Sequence, residues 1–296
     1  MSNSTRRGRA SRLAAGALAL VATAAVAVAL AGCGSQKTSA GTTSGASTGA
    51  SSTGDKTIVV GASPSPHAEI LAQVKDALAK QGYTLEVKEY SDYVQPNAAL
   101  AQGDLDANYF QHKPYLDNYN SQNGTSLVSA AAIHFEPMSV YGGKSSSLSS
   151  IPDGATIAVP SDATNEARAL LLLQAQGVLA LKDGAGLEAT ANDIASNPHN
   201  VKLVETEAAS IPRALGDVDF AVINGNYVLS SGLDTSKALA SEASDSAAAK
   251  TYANIIAVRS GDEGSDKIRA LVSALESQQV KDYITNTYKG TVVAVF

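Results

Sequence analysis

Asn165 and Arg168 lie three positions apart, shortly after an apolar run at residues 156–159. If a helix begins there, both side chains share one of its faces. The first turn of a helix exposes unpaired N–H groups and the positive end of the helix dipole, and a guanidinium beside them can bind a carboxylate through two parallel hydrogen bonds. The spacing therefore predicts an anion site. A solvent-exposed arginine behind an ordinary helix cap by Asp162 or Thr164 is the alternative.

Aromatic residues make up only 5% of the chain, yet several fall within residues 90–119. A strand over residues 106–112 would place Asn108, Phe110 and His112 on one face. Apolar walls with a few polar groups are typical of a small-molecule pocket, and a thioether packs well between aromatic rings. A local aromatic core is the alternative interpretation. The clustered residues are Tyr90, Tyr93, Tyr109, Phe110, Tyr115 and Tyr119.

A third polar segment, Asn224-Gly225-Asn226, directly follows the apolar run at residues 220–223. A side-chain amide can accept a hydrogen bond from an ammonium group and donate one to a carboxylate. The same three residues are equally typical of a turn. All three polar segments follow apolar strand-like runs, and in α/β folds ligands bind where strands end and helices begin. We therefore expect the three segments to meet at one ligand-facing edge.

The elements that would position these side chains alternate between strand and helix. Apolar runs and period-2 patterns predict strands at residues 57–61, 84–89, 156–159, 201–204, 220–223 and 255–258. Helical spacing predicts helices at residues 68–80, 165–176 and 267–288. This alternation favours an α/β fold with mostly parallel sheets. The length of the segment from residue 56 to 296 favours two lobes, with the ligand cleft between them.

Cys33 is the only cysteine of the chain, and it follows Leu30-Ala31-Gly32 at the end of an apolar run. Four arginines precede that run, which is the layout of a bacterial secretory signal. The sequence predicts cleavage of residues 1–32 and lipidation of Cys33, so that acyl chains anchor the protein to the outer face of a membrane. A transmembrane anchor and a cleaved signal with an incidental cysteine are the alternatives. Residues 33–55 then form the lipidated cysteine and a Ser/Gly/Thr-rich flexible linker.

Charge and cysteine content exclude some classes of partner. The chain has 22 basic and 28 acidic side chains, and four of the arginines lie in the predicted signal. The mature protein is thus strongly acidic, which argues against nucleic acid as a partner. With its one cysteine lipidated the protein has no disulfide bond, and membrane contact is expected through the lipid anchor only.

Two other functional classes, an enzyme and a metal carrier, make their own demands on the sequence. For an enzyme, the chain lacks a His-Glu-x-x-His motif and a Gly-x-Ser-x-Gly elbow, and Gly143-Lys144-Ser145 lacks the earlier glycine of a P-loop. A zinc-type metal-binding transport lipoprotein is the better rival, because imidazoles are zinc ligands. His67 is more simply a polar residue in the first turn of a helix, and aromatic walls do not suit a cation site, so no metal or cofactor is expected. The residues available for such a site are His67, Glu69, His112 and His134.

Five sequence motifs, taken in order, carry a resemblance to a known family. They are Asp92-Tyr93-Val94-Gln95-Pro96-Asn97, Asp106-Ala107-Asn108-Tyr109-Phe110-Gln111-His112-Lys113-Pro114-Tyr115, Glu136-Pro137-Met138, residues 160–174, and Ala221-Val222-Ile223-Asn224. They resemble the successive motifs of the methionine-binding lipoproteins of MetQ/NlpA type. The resemblance covers essentially all of residues 57–296.

This resemblance implies a two-lobe α/β fold of the type II periplasmic-binding-protein kind. Lobe 1 is expected to comprise residues 56–138 and 228–296, and lobe 2 residues 139–227. The implied function is that of a lipid-anchored component of an ABC importer on the extracytoplasmic face of the cell membrane. It would capture methionine or a close derivative and deliver it to the membrane permease, without enzymatic activity.

The same resemblance implies roles for particular side chains. Arg168 and Asn165 are expected to hold the carboxylate of the ligand. Asn224 is expected to meet the α-amino group, and Glu136 is a further candidate partner for the ammonium. The methionine side chain is expected to lie among Tyr93, Phe110, His112 and Tyr115.

Overall fold

The computed structural model describes residues 56–244 and 250–296. The predicted signal segment at residues 1–32, the lipidation site Cys33 and the linker up to residue 55 lie outside the described residues. The strands are β1 (Thr57–Ala62), β2 (Thr84–Glu89), β3 (Ala107–His112), β4 (Leu127–Phe135), β5 (Ser139–Gly142), β6 (Thr156–Pro160), β7 (Ala180–Leu181), β8 (Ile194–Ser196), β9 (Lys202–Thr206), β10 (Phe220–Ile223), β11 (Ala240–Ser241), β12 (Asn254–Arg259) and β13 (Val293–Ala294). The α-helices are α1 (Glu69–Ala72), α2 (Lys75–Lys80), α3 (Gln95–Gln102), α4 (Lys113–Asn123), α5 (Ala163–Ala175), α6 (Ile211–Ala214), α7 (Gly225–Ser231), α8 (Asp266–Leu275) and α9 (Gln278–Tyr288).

Two main sheets organise the fold. The first has the strand order β13-β4-β12-β3-β1-β2, and the second has the order β11-β5-β10-β6-β9. Helices cover both sheets, with apolar clusters between sheet and helices in each half. The predicted two-lobe α/β architecture is confirmed.

The sheets are mixed, so the prediction of mostly parallel sheets is wrong. Strands β2, β1 and β3 are parallel to one another, but β12 runs antiparallel to β3 and to β4. In the second sheet β9, β6 and β10 are parallel, and β5 is antiparallel to β10. The antiparallel strands are the first ones that follow each crossing between the sheets. β5 lies beside β10 and β12 lies beside β3, so each borders a group of three parallel strands.

The buried strands form where β-branched and other apolar residues run together. In β1, Ile58 and Val60 are fully buried, and such residues fit a strand flanked on both sides. In β10 every residue is buried. The predicted strands at residues 84–89 and 220–223 coincide with β2 and β10, and the others agree with the structure to within two residues at each end.

Two predicted helices are each divided in the structure. The helix predicted at residues 68–80 is split into α1 and α2, with a kinked turn at Pro64–Ala68 before them. The helix predicted at residues 267–288 is split into α8 and α9. The second break occurs because Ser277 caps α9, its side chain accepting a hydrogen bond from the N–H of Val280 at 3.4 Å.

The chain passes between the two sheets twice. It leaves the first sheet after β4 and enters the second at β5, and it returns between β11 and β12. The two crossing segments are hydrogen-bonded to each other, since the N–H of Glu242 donates to the carbonyl of Met138 at 3.0 Å. The N–H of Met138 in turn donates to Oε2 of Glu242 at 2.8 Å.

The predicted lobe boundaries at residues 138/139 and 227/228 remain a prediction. The first falls within the outward crossing between β4 and β5. The second precedes β11, which pairs with β5 of the second sheet. This pairing favours a return crossing after Ser241 rather than after Tyr227.

The part of the chain that the structure describes contains no helix with the length and hydrophobicity needed to cross a membrane.

Candidate functional site

A small, nearly filled cavity lies where the two sheets face each other. All eight side chains predicted from the sequence as ligand contacts line this cavity. The lining residues are Tyr93, Phe110, Gln111, His112, Tyr115, Glu136, Asn165, Arg168, Asn224, Gly225, Asn226 and Asn254.

Aromatic rings form one wall of the cavity. The ring centroid of Tyr93 lies 5.8 Å from that of Phe110 and 5.8 Å from that of Tyr115. The Tyr115 hydroxyl donates a hydrogen bond to the backbone carbonyl of Tyr93 at 3.0 Å. Edge-on and tilted ring pairs at these distances are favourable. The sequence cluster is therefore partly pocket wall and partly core, because Tyr109 is fully buried in the core of the first sheet.

His112 ends β3 and caps α4. Its Nδ1 accepts a hydrogen bond from the N–H of Tyr115 at 3.2 Å, and its Nε2 lies 3.2 Å from Oδ1 of Asn165. Because Nδ1 is the acceptor, Nε2 carries the proton and donates to Asn165. Burial lowers the pKa of His112 to about 3, and the nearby charge of Arg168 adds to the effect. The imidazole is thus neutral at physiological pH and joins the two walls of the cavity.

Asn165 lies in the first turn of α5 and is held by the cap of that helix. Asp162 is the N-cap residue and accepts from the N–H of Asn165 at 3.0 Å. The side-chain nitrogen of Asn165 also donates to both carboxylate oxygens of Asp162, at 2.9 and 3.0 Å. The anion site predicted at this helix start is therefore occupied by the protein's own Asp162, and Asn165 presents its oxygen to His112.

Arg168 is buried, with 4% of its surface exposed, so the solvent-exposed alternative is wrong. Its Nε and Nη2 donate to the two carboxylate oxygens of Glu242 at 2.8 and 2.5 Å. Nη2 also donates to the backbone carbonyl of Glu136 at 2.9 Å. The guanidinium carbon lies 4.4 Å from the ring centroid of Tyr252, which is within range of a cation–π interaction.

Nη1 is the part of the Arg168 guanidinium that remains for a ligand. Among the described residues, no hydrogen bond uses this nitrogen. Arg168 itself lines the cavity. A ligand carboxylate can therefore be bound through Nη1, but not through the Nε and Nη2 edge that Glu242 occupies.

Glu136 lies on the outward crossing segment and is 4% exposed. Oε1 of Glu136 accepts from Nε2 of His134 at 2.6 Å, and Nε2 of His67 is 3.4 Å away. Nδ1 of His134 accepts from the Tyr109 hydroxyl. Burial raises the pKa of Glu136, while the nearby His67, Arg168 and the backbone N–H of Asn226 act in the opposite direction.

The start of α7 packs against Glu136 at the wall of the cavity. A Cβ atom on Gly225 would lie 2.7 Å from the Cβ of Glu136, so this close approach requires glycine. The preceding Asn224 donates from its side-chain nitrogen to Oδ1 of Asn165 at 2.8 Å. Oδ1 of Asn224 is buried and finds no hydrogen-bond partner among residues 56–244 and 250–296. An unpaired buried acceptor is unfavourable, and this one lies on a residue that lines the cavity.

The two sides of the cavity are joined by direct hydrogen bonds besides that of His112. The Tyr93 hydroxyl donates to Oδ1 of Asn226 at 2.5 Å. Tyr93 precedes α3 on the side of the first sheet, whereas Asn226 follows β10 of the second sheet. The structure thus has the cleft closed.

One part of the strand prediction is wrong. Asn108 was expected to share a face with Phe110 and His112, but it does not line the cavity. Instead Gln111 donates to its Oδ1 at 2.8 Å, and Asn108 donates to Asn97 at 2.8 Å, in a buried amide cluster. The register of β12 against β3 shifts between Gln111 and Tyr109, and such a bulge interrupts the alternation of faces.

The residues considered for a metal site come together only in part. His67 and His134 group with Glu136, their potential ligand atoms all lying within 4.8 Å of one another. Glu69 instead accepts from the Tyr288 hydroxyl at 2.5 Å, and His112 is held by Asn165. His67 lies in the turn Pro64–Ala68 directly before α1, as expected of a residue at a helix start, and it is 1% exposed. Its Nε2 lies 2.9 Å from Oδ1 of Asn254.

Several residues around the cavity were not assigned as ligand contacts from the sequence. Gln111, Asn226 and Asn254 line it, while Glu242 and Tyr252 hold Arg168. Gln111 belongs to the motif at residues 106–115, and Asn226 belongs to the polar segment Asn224-Gly225-Asn226. Their position at strand ends was a usable signal. Glu242 lies on the return crossing and Asn254 begins β12, and the local sequence at these positions gives no sign of a site.

Comparison with known proteins agrees with this architecture. Residues 58–296 match the family model of the NlpA lipoproteins. The methionine-binding lipoprotein MetQ of Bacillus subtilis is 41% identical over 250 residues, which cover 82% of this chain and 89% of that relative.

Solved structures extend the comparison. A protein of Ruminococcus gnavus is 56% identical with a TM-score of 0.80, over 81% of this chain and 100% of the other. A nutrient binding protein from Burkholderia cenocepacia, solved bound to methionine, is 48% identical with a TM-score of 0.76, over 81% of this chain and 100% of the other. The family match spans nearly all of the residues that the structure describes. The chain therefore belongs to the NlpA lipoprotein family.

Proposed function

We propose that this protein is the lipid-anchored substrate-binding component of an ABC importer, which captures methionine and delivers it to a membrane permease. The observation that carries the proposal is the convergence of three kinds of group on one small cavity. An arginine suits a carboxylate, an unpaired acceptor beside a carboxylate suits an ammonium, and aromatic rings suit a thioether. The relative that was solved bound to methionine supports the choice of ligand.

Each end of an amino acid has a partner in this arrangement. Nη1 of Arg168 binds the ligand carboxylate. Oδ1 of Asn224 and the carboxylate of Glu136 accept from the ammonium. The thioether lies against the aromatic wall, where each sulfur–aromatic contact contributes about 0.3 to 1.5 kcal/mol. The rings of that wall belong to Tyr93, Phe110, His112 and Tyr115.

Asn165 has a different role from the predicted one, which was to hold the ligand carboxylate. Its side-chain nitrogen is engaged with Asp162, so it does not bind the ligand carboxylate directly. Its oxygen accepts from both His112 and Asn224. Asn165 therefore orients the Asn224 amide so that Oδ1 of Asn224 is directed to the ligand ammonium.

The protein works by capture rather than by chemistry. Closure of the lobes removes water from the ionic contacts, and these become stronger as the local dielectric constant falls. A ligand that binds the closed state more tightly than the open one shifts the population toward closure. The hydrogen bonds of His112 and Tyr93 across the cleft stabilise that closed state. The NlpA family supports this transport role, and enzymatic activity is no part of the proposal.

A thermal-shift panel tests the proposal on the detergent-purified protein. The panel contains the twenty amino acids, methionine peptides and zinc. Methionine at about 100 times its dissociation constant should stabilise the fold by roughly 2.7 kcal/mol. A shift with zinc and none with methionine or its peptides would favour the metal carrier, and so contradict the proposal.

Cys33→Ala tests the anchor separately. Because Cys33 is distant in sequence from every residue that lines the cavity, methionine binding in solution should be unchanged. The variant should lose its acyl chains and be released from the membrane or keep its signal, which cell fractionation and mass spectrometry can distinguish. A variant that remains on the membrane with its signal removed would contradict the lipid anchor.

A further inference from the structure

Glu242 binds the ligand-facing arginine from a distant part of the chain. Its carboxylate oxygens accept from Nε and Nη2 of Arg168 at 2.8 and 2.5 Å. Oε2 accepts in addition from the N–H of Met138 at 2.8 Å. The side chain of Glu242 is only 8% exposed, so this is a buried pair with both carboxylate oxygens engaged.

The backbone of Glu242 is fixed as well. Its N–H donates to the carbonyl of Met138 at 3.0 Å, and β11 just before it pairs with β5. Glu242 therefore occupies the contact between the two crossing segments. The carboxylate is held at both its backbone and its side chain, which makes it a rigid support for the guanidinium.

The pair also sets the charge of the cleft. Arg168 and Glu242 neutralise each other, which leaves the buried Glu136 as an additional negative charge on the cavity wall. A zwitterion adds no net charge to this site. A carboxylate without an ammonium group would add a second uncompensated negative charge in a place with little water, where such interactions are strong.

We propose that Glu242 is a positioning and specificity-determining residue, which orients Arg168 and makes the cleft reject carboxylates that lack an ammonium group. The inference rests on the proposed function, since it concerns how the same cleft selects its ligand. Glu242 does not touch the ligand. It acts by occupying the Nε and Nη2 edge of Arg168 and by cancelling the charge of that arginine.

The test compares two ligands that differ by one group. Methionine and 4-(methylsulfanyl)butanoate share the thioether and the carboxylate, but only methionine has the ammonium. The dissociation constants of both are measured by calorimetry, directly or by displacement. The proteins are the detergent-purified wild type, Glu242→Gln, Glu242→Asp and the exposed control Glu188→Gln.

The ratio of the two dissociation constants is the decisive quantity. In Glu242→Gln the preference for methionine over the desamino ligand should fall by about tenfold or more, because the negative charge behind Arg168 is gone. Glu242→Asp keeps the charge and should keep most of the preference, while both ligands bind more weakly because the shorter side chain holds Arg168 less well. Glu188→Gln removes an equal charge from the surface and should behave as the wild type.

A purely structural role predicts a different result. If Glu242 only stabilises the fold, both ligands lose affinity in equal proportion in Glu242→Gln and the ratio stays at the wild-type value. That outcome overturns the inference. Failure of wild-type protein to bind methionine would instead overturn the proposed function, so the two failures are distinguishable.

A second measurement needs no variant at position 242. In ¹⁵N-labelled wild-type protein the Nε–H proton of Arg168 should exchange slowly with solvent both before and after saturation with methionine, since Glu242 holds it in both states. Comparison with the Arg168→Lys spectrum identifies the signal. Loss of its protection when methionine binds would show that the ligand displaces Glu242, and would overturn the inference.

Discussion

The two charged groups of the cleft are buried in different ways. Arg168 is paired with an opposite charge, its Nε and Nη2 donating to Glu242. Glu136 instead accepts from neutral groups, chiefly from His134 at 2.6 Å, with His67 at 3.4 Å. The charge of Arg168 is cancelled by Glu242, whereas the charge of Glu136 is stabilised by the dipoles of neutral side chains.

This difference determines how each end of the site responds to change. A buried ion pair is insensitive to pH near neutrality, but removal of one partner leaves an unpaired charge. Burial raises the pKa of the Glu136 carboxyl, and no paired cation offsets that burial as Glu242 does for Arg168, so this end of the site responds to acid. Because the two ends are expected to bind opposite ends of an amino acid, mutations and pH should separate their contributions.

Arg168→Ala should have the largest effect, because it leaves Glu242 buried without its cation. We expect a loss of about 3 to 5 kcal/mol of unfolding free energy and a loss of about 2 to 5 kcal/mol in methionine binding. The double variant Arg168→Ala/Glu242→Gln removes both charges and should regain most of the stability, with binding still lost. Urea unfolding and calorimetry measure the two quantities.

A surface arginine provides the matched control for this experiment. Arg269 pairs with Asp266 at 2.5 Å, but both side chains are more than half exposed. Arg269→Ala should change stability by less than about 1 kcal/mol. If the double variant is as unstable as Arg168→Ala alone, the unpaired charge of Glu242 is not the cause of the loss.

Acid should have the next largest effect, because it lowers the stability of the fold through the two histidines beside Glu136. Burial lowers the pKa of His67 to about 4 and that of His134 to about 3, whereas the unfolded values are about 6.5. The unfolded chain therefore binds more protons below pH 6.5, and the stability present above that pH is lost as pH falls toward the folded pKa values. The slope is about 1.4 kcal/mol per pH unit for each histidine.

Glu136 contributes with the opposite sign. Since its pKa is raised in the folded state, protonation of its carboxyl favours the folded protein as pH falls through that raised value. The same protonation removes the partner of the ligand ammonium, so methionine affinity should fall over this range. Urea unfolding between pH 7.5 and 5 should show a smaller slope in His134→Gln than in the wild type, and equal slopes would contradict the assignment to these histidines.

Much of this site could be read from the sequence because strand ends meet at one edge of each sheet. The run at residues 220–223 predicted β10, and Asn224 follows it on the ligand-facing side. The run at residues 156–159 placed the start of α5 within two residues, and with it the position of Arg168. Local pattern and chain topology were enough for these residues.

The residues that bind these side chains and fix their positions could not be predicted from the local sequence pattern. Glu242 is 74 positions from Arg168, and Asn254 is 187 positions from His67. The first contact arises because the return crossing passes beside the outward one, and the second because β12 enters the first sheet between β3 and β4. No local periodicity encodes either arrangement. The bulge in β3 likewise reflects its pairing with β12, so Asn108 was assigned to the wrong surroundings.

Glu136→Gln should have an intermediate effect that isolates the ammonium end. The amide keeps the shape of the side chain and an oxygen that accepts from His134, so the fold should remain stable. Methionine binding should weaken by about 1.5 to 3 kcal/mol, the usual contribution of a hydrogen bond to a charged group. Binding of 4-(methylsulfanyl)butanoate should not weaken, and an equal loss for both ligands in calorimetry would contradict the role of Glu136 at the ammonium.

Tyr93→Phe should have the smallest effect, because it removes a neutral hydrogen bond between the two sides of the cleft. The Tyr93 hydroxyl donates to Asn226 at 2.5 Å, while its ring packs against Phe110 and stays in the variant. Methionine affinity should fall by about 1 kcal/mol, with Tyr119→Phe unchanged as the control in the same calorimetric series. If the hydroxyl acts on closure, methionine and its desamino analogue lose affinity equally. A loss confined to methionine would instead place Tyr93 at the ammonium end and would revise the division between the two ends of the site.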